Sequence, residues 1–238
     1  MMEQYTRIKR ENRDSILLFR LGDFYEMFKK DAVHASKALN ITLTTRNGIP
    51  MCGFPFHAAD TYIAKLLAQG CRVAICEQTE DPSQARGIVR REVVEIMSPG
   101  IITDPDLLDN KRANCIAALI YTENRTEQRL AISSLDVSTG EFVSSLISDG
   151  DVLDHVLNEI EENGIREIIH PEQLMELALF SGILANVQKV HADVVFRSLD
   201  NMFFDVSDAD SMLKEHFGVN STDVFELRDE MEIAACGS

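Results

Sequence analysis

Phe24 and Glu26, within Leu21-Gly22-Asp23-Phe24-Tyr25-Glu26-Met27-Phe28, set an aromatic ring two residues before a carboxylate, directly after the apolar run Ile16-Leu17-Leu18-Phe19. The pair suits the reading of a DNA base step. An apolar wedge can enter between stacked bases and kink a duplex that yields easily, and a nearby acid can hydrogen-bond a base edge that normal pairing would occupy. An ionised Glu26 cannot bond a purine N7, which only accepts. A protonated one can, and the ionised form can instead accept from an exposed imino or amino donor. Burial and the field of the DNA favour protonation; on intact duplex the charge is a penalty that works against the wrong ligand. Simpler roles are also open: Phe24 as a core aromatic beside a strand, and Glu26 as a solvated acid at a helix N-terminus, balancing the macrodipole.

The elements that must hold this pair follow from periodicity. Tyr5 to Glu11 reads as a short charged helix and Ile16 to Phe19 as a buried strand ending at Gly22-Asp23, which puts Phe24 at a strand-to-helix junction. From Tyr25 to Leu39 the apolar positions Met27, Phe28, Ala32, Ala35 and Leu39 recur at helical spacing. Ile41 to Thr45 alternates like a strand, Asn47-Gly48 is a turn, Ile49 to Phe56 is a strand, and a helix bearing Tyr62, Ile63, Leu66 and Leu67 closes at Gly70. Arg72 to Cys76 and Val89 to Met97 are further strands, so the first half is expected to be an α/β domain with a mixed sheet. Asp104 to Arg112 reads as a linker. Beyond it, Ile116 to Tyr121, Leu130 to Val137 and Glu141 to Ile147 form a meander, followed by a helix over Val152 to Ile160, a stop at Gly164 and a strand from Ile165 to Ile169. That order is what an RNase H-like α/β domain would show. Ile233 and the alanines around it look like the start of a helix, as if the chain were a fragment truncated in its second domain.

The opening block resembles the Phe-x-Glu mismatch-reading motif of bacterial MutS proteins. Met51-Cys52-Gly53-Phe54-Pro55-Phe56-His57, Ala74-Ile75-Cys76-Glu77-Gln78, Arg91-Glu92-Val93-Val94 and Ser98-Pro99-Gly100 are similar in order and spacing to further blocks of that family. The resemblance implies a mismatch-recognition domain over residues 1–113 and an RNase H-like connector domain over 114–238. It implies that Phe24 is exposed and stacks at a mispaired base, with discrimination coming from deformability rather than base sequence. It further implies phosphate contacts by Arg91 and Arg46, which hold register without reading sequence. At Arg90 this chain departs from the family, which commonly has an acid there, so Arg90 is an extra phosphate contact or a plain surface charge. The family works as a dimer in which one subunit reads the mismatch, and ATP with Mg²⁺, bound in an ATPase region not represented here, leads to recruitment of a MutL partner.

Charge agrees with that division. The 238 residues carry a net −16, yet residues 1–113 hold 16 Lys/Arg against 15 Asp/Glu and residues 114–238 hold 7 against 24. Phosphate contacts are therefore expected from the first half, while the second repels nucleic acid and offers an acidic surface to protein partners. None of the twelve glycines is followed by Lys, so the chain has no P-loop for ATP, and the expectation is a binding segment that is itself no enzyme. Five cysteines without a CxxC pair and an N-terminus unlike a signal peptide point to a soluble protein of the reducing cytoplasm, with no metal site and no membrane span. Cys71 and Cys76 are expected as small buried hydrophobes and His57 as a packed residue without chemistry. Asp136 and Glu141 leave one alternative, a metal-dependent nuclease of RNase H type, for which Glu159 or Asp205 would have to converge on the same site. Turn acids around Ser138-Thr139-Gly140 explain them equally well.

Overall fold

The apolar run after Asp14 forms β1 (Ser15–Leu21), whose residues from Ser15 to Phe19 are all buried, so both of its faces are covered. The computed structural model describes residues 1–80, 87, 89–102, 114–148 and 151–238. They divide into two compact units, one holding Met1–Pro99 and the other the described residues from Gly100 onward. The expected linker at 104–112 lies outside the described residues.

In the first unit α1 (Met2–Glu11) buries Tyr5 and Ile8, and Tyr5 meets the rings of Phe19 and Phe28 edge-on. After β1 the chain reverses at Gly22, which holds φ +58°, and returns as β2 (Phe24–Phe28). This corrects the helical reading of Tyr25 to Leu39: only α2 (Lys29–Leu39) is helical. Met27 and Phe28 fit a helical stripe by spacing, but Phe24 to Phe28 lies between two strands, and their ladders satisfy its backbone groups. Glu26 is thus a strand residue, not an acid at a helix N-terminus.

β3 (Thr44–Arg46) and β4 (Ile49–Pro55) form a hairpin whose two loop residues, Asn47 and Gly48, both hold positive φ (51° and 77°), as a tight primed turn requires. Then come α3 (Ala59–Leu67), β5 (Arg72–Gln78) and β6 (Arg91–Met97). The sheet order is β3-β4-β2-β1-β5-β6; β1 and β5 run parallel and every other pair antiparallel, the mixed sheet that was expected.

The second unit contains β7 (Cys115–Glu123), β8 (Gln128–Asp136), β9 (Glu141–Ser148), α4 (Val152–Asn163), β10 (Ile165–Pro171), α5 (Ala178–Val190), β11 (Val195–Leu199), α6 (Val206–Phe217) and α7 (Glu230–Cys236). Asp151 caps α4 by accepting from the Leu153 and Asp154 N–H groups, and Gly164 ends it at φ +64°. The sheet order β11-β10-β7-β8-β9, an antiparallel meander extended by two parallel strands, is the RNase H-like arrangement. Leu119, Tyr121, Leu130, Val156, Ile168 and Phe180 form the core under α4 and α5, while α7 packs Met231 and Ala235 on Ala131.

Glu167 and His170 are among the polar groups buried in this unit. Glu167, 2% exposed, accepts from the Gly100 N–H at 3.2 Å and pairs with Arg197 at 2.5 Å, which ties Gly100 to the second unit. His170, 1% exposed, packs edge-on against Phe180, and burial pushes its pKa below the ordinary value. A depressed folded-state pKa means the neutral ring is favoured in the fold. Its contribution is full above the unfolded value, about 6.5, and is lost as pH falls from there through the folded value. His170→Gln is therefore expected to flatten the dependence of stability on pH below about 6.5, as followed by chemical denaturation across a pH series.

Candidate nucleic-acid interface

Successive residues of a strand point to opposite faces, so Phe24, Glu26 and Phe28 share one face of β2, and Tyr25 and Met27 the other. Phe28 is buried under α1, but Phe24, at the hairpin end opposite Pro55, leaves its ring 46% exposed. Glu26 lies about 7 Å further along the strand. It faces Gly53 of β4, and its side chain is 15% exposed. Arg46, on the edge strand β3, reaches over to place Nη1 2.9 Å from Glu26 Oε2. Three residues singled out by sequence, Phe24, Glu26 and Arg46, are thus brought together on one face, an apolar ring beside an ion pair.

Gly53 makes room for this pair. A Cβ there would come within 2.7 Å of the Tyr25 carbonyl oxygen and 3.4 Å of the Glu26 Cα and Cγ atoms. The nearest obstacle is backbone, so Gly53→Ala is expected to destabilise by about 1–3 kcal/mol. Amide hydrogen exchange should quicken along β2 and β4 but not in the second unit.

Arg91 is placed differently from its expected role as a phosphate contact. It is 5% exposed, its Nε donates to the Arg20 carbonyl at 2.6 Å, and its Nη1 donates to the Val89 carbonyl at 2.7 Å and to Gln4 Oε1 at 3.3 Å. Its guanidinium carbon lies 5.1 Å from the centre of the Phe19 ring, and desolvation lowers its pKa. Those bonds join β6 to β1 and α1. Arg90 is instead an exposed partner of Glu92, the surface-charge reading of that position.

Sequence reasoning passed over Arg20. It lies opposite Tyr25 across the β1–β2 ladder, on the face away from Phe24. Its Nε donates to the Gly22 carbonyl at 2.5 Å, its Nη1 is 3.5 Å from Glu77 Oε1, and its guanidinium carbon sits 3.6 Å from the centre of the Phe56 ring. The Tyr25 hydroxyl also donates to Glu77, and burial followed by that bond raises the phenol's pKa well above the usual value. The available signal was a lone Arg at the end of an otherwise buried strand. His57, expected to pack, is exposed beside Phe56. Cys71 and Cys76 are buried as expected, and burial pushes the Cys76 thiol up to about 12.

In the second unit Asp136 accepts from the Ser138 N–H and hydroxyl and from the Thr139 N–H, bonds that hold its carboxyl below the usual range. That is a turn acid. Glu141 pairs with Asp136 across the hairpin, whereas Glu159 bonds Ser145 and Asn163, and Asp205 caps α6. Among the described residues no three metal-ligating side chains gather, so nothing supports the nuclease alternative. No helix among them is long and apolar enough to cross a membrane.

Comparison with known proteins matches this division. The model described as MutS domain I matches residues 1–106, and that of MutS domain II matches residues 114–238. The DNA mismatch repair protein MutS of Acetivibrio thermocellus is 40% identical over 228 residues, covering 91% of this chain and 25% of its own length. That of Lysinibacillus sphaericus is 46% identical over 200 residues (81% of this chain, 23% of its own), and that of Rhizobium meliloti 39% over 251 residues (all of this chain, 26% of its own). The chain spans about a quarter of the length of these relatives. With one unit matching each domain model, in the same order, the chain belongs to the MutS family, of which it carries domains I and II.

Proposed function

We propose that residues 1–113 recognise mispaired and unpaired bases in duplex DNA, with Phe24 as the wedge and Glu26 as the group that meets the displaced base edge. The observation that carries this reading is the exposed Phe24 ring at a hairpin end, with Glu26 on the same strand face. A mispair has already lost pairing and part of its stacking, so insertion costs less there than in matched duplex. Arg46 is the phosphate contact. Engaging a phosphate would take Arg46 from Glu26 and turn the carboxylate toward the base, which couples backbone docking to readout. Arg91 supports the site from within the sheet, because it is 5% exposed and its Nε and Nη1 donate to the Arg20 and Val89 carbonyls.

Residues 114–238 act as the connector, their acidic surface suited to protein contacts rather than nucleic acid. The longer protein is read as a cytoplasmic homodimer whose ATP- and Mg²⁺-dependent steps and recruitment of a MutL-like partner use further domains, and this segment contributes no catalysis. The test is a titration of the full-length protein against mismatched and matched duplexes at fixed salt, wild type beside Phe24→Ala. Loss of the preference supports the reading, and its retention overturns it.

A further inference from the structure

We infer that Arg20 is a positioning residue for Phe24: by stacking on Phe56 and bonding the Gly22 carbonyl it fixes the Gly22-Asp23 turn, and with it the angle at which Phe24 leaves the sheet. The inference rests on the wedge reading of Phe24. Both turn carbonyls are tied down, Gly22 by Arg20 Nε at 2.5 Å and Asp23 by the Phe56 N–H at 2.9 Å. The Phe56 ring then lies 3.6 Å from the same guanidinium carbon. These contacts close a circuit from Arg20 through the turn to Phe56 and back. Glu77, 3.5 Å from Arg20 and bonded by the Tyr25 hydroxyl, gives the guanidinium a further partner. Phe56 itself is 40% exposed, so this stack, rather than core packing, accounts for an aromatic at that place.

A wedge discriminates only if it cannot retract. A turn free to bend would let Phe24 fold aside on matched duplex and avoid unstacking it, while on a mispair the wedge would first have to be ordered. Locking the turn from the rear face removes both escapes. The planar fork is needed for this, since one guanidinium must stack and hydrogen-bond at once, which a lysine ammonium cannot do.

The experiment uses the full-length protein, with Arg20→Lys, Phe56→Leu and Phe56→Tyr made in the wild-type and Phe24→Ala backgrounds. Affinities for matched and mismatched duplex are measured at fixed salt, and 2-aminopurine placed beside the mispair reports unstacking by its fluorescence. Arg20→Lys, which keeps the charge, is expected to cut the mismatch preference about three- to thirtyfold and to reduce the fluorescence rise. Phe56→Leu should act likewise, Phe56→Tyr should retain the preference, and neither of the damaging variants should add to Phe24→Ala. Should Arg20→Lys unfold the domain, Phe56→Leu decides, since it leaves every hydrogen bond of Arg20 in place. An unchanged preference in Arg20→Lys, or an equal loss of affinity for both duplexes, overturns the positioning role and leaves the wedge intact. A preference that survives Phe24→Ala overturns both.

Discussion

Phe24→Ala in the full-length protein is expected to lower the preference for mismatched over matched duplex by about tenfold or more, leaving weak binding to both. Wedge insertion trades a few kcal/mol of lost stacking for a bent duplex, and a mispair has surrendered part of that stacking already. A difference of about 1.4 kcal/mol between the two duplexes is a factor of ten, so a modest saving at the mispair accounts for the effect. Phe24 is 46% exposed at a hairpin end, so the fold should survive its truncation and the loss should fall on selectivity. What remains would be phosphate binding, recognisable by an affinity that drops steeply and equally for both duplexes as salt rises. A Phe24→Leu variant should lie between, retaining an apolar wedge without a ring to stack.

Arg91→Ala is expected to destabilise the first domain by about 3 kcal/mol while leaving the salt dependence of DNA binding unchanged. The guanidinium is 5% exposed and serves the carbonyls of Arg20 and Val89 and the side chain of Gln4. Hydrogen bonds from a charged donor contribute about 1.5–3 kcal/mol each, and truncation leaves buried acceptors without a partner. The Arg20 carbonyl matters most, because it belongs to the residue that braces the hairpin. Thermal unfolding gives the first half of the test and the slope of log K against log salt the second. A phosphate contact would lower that slope by about 0.9 on removal, with little change in stability. A smaller slope with an unaltered melting temperature would therefore return Arg91 to the phosphate role that the family resemblance implies. Arg46→Ala should show that opposite pattern, since its side chain is 48% exposed and its pairing is with Glu26 on the sheet face.

Much of the architecture was legible because local signals were strong. Asn47-Gly48 can hold two successive positive φ angles and so announces the β3–β4 hairpin. The alternating runs from Ile116 to Ile147 announce a meander, and Gly164 ends its helix as a left-handed cap. Misreading came at Tyr25 to Phe28, where four residues fit two periods at once. Met27 and Phe28 extend the helical stripe of α2, yet they also point to opposite faces of a strand, and both faces are buried there. Short apolar segments leave that choice to their neighbours.

The candidate site divides in the same way. Residue types and the two-residue step from Phe24 to Glu26 were enough to suggest a wedge and an acid, and the uneven charge was enough to set the expectation that phosphate contacts come from the first half. Sequence alone determined the chemistry available, the family blocks and the two-domain order, because those depend on identity and spacing along the chain. Only the tertiary structure decided which cation faces solvent. Arg46 reaches Glu26 from twenty residues away, Arg91 is held inside by the Arg20 carbonyl of β1, and Arg20 closes on Phe56 behind the turn. An arginine has the same charge in all three places; whether that charge meets a carboxylate, a carbonyl or an aromatic ring depends on which strands lie side by side, and strand pairing joins residues far apart in sequence.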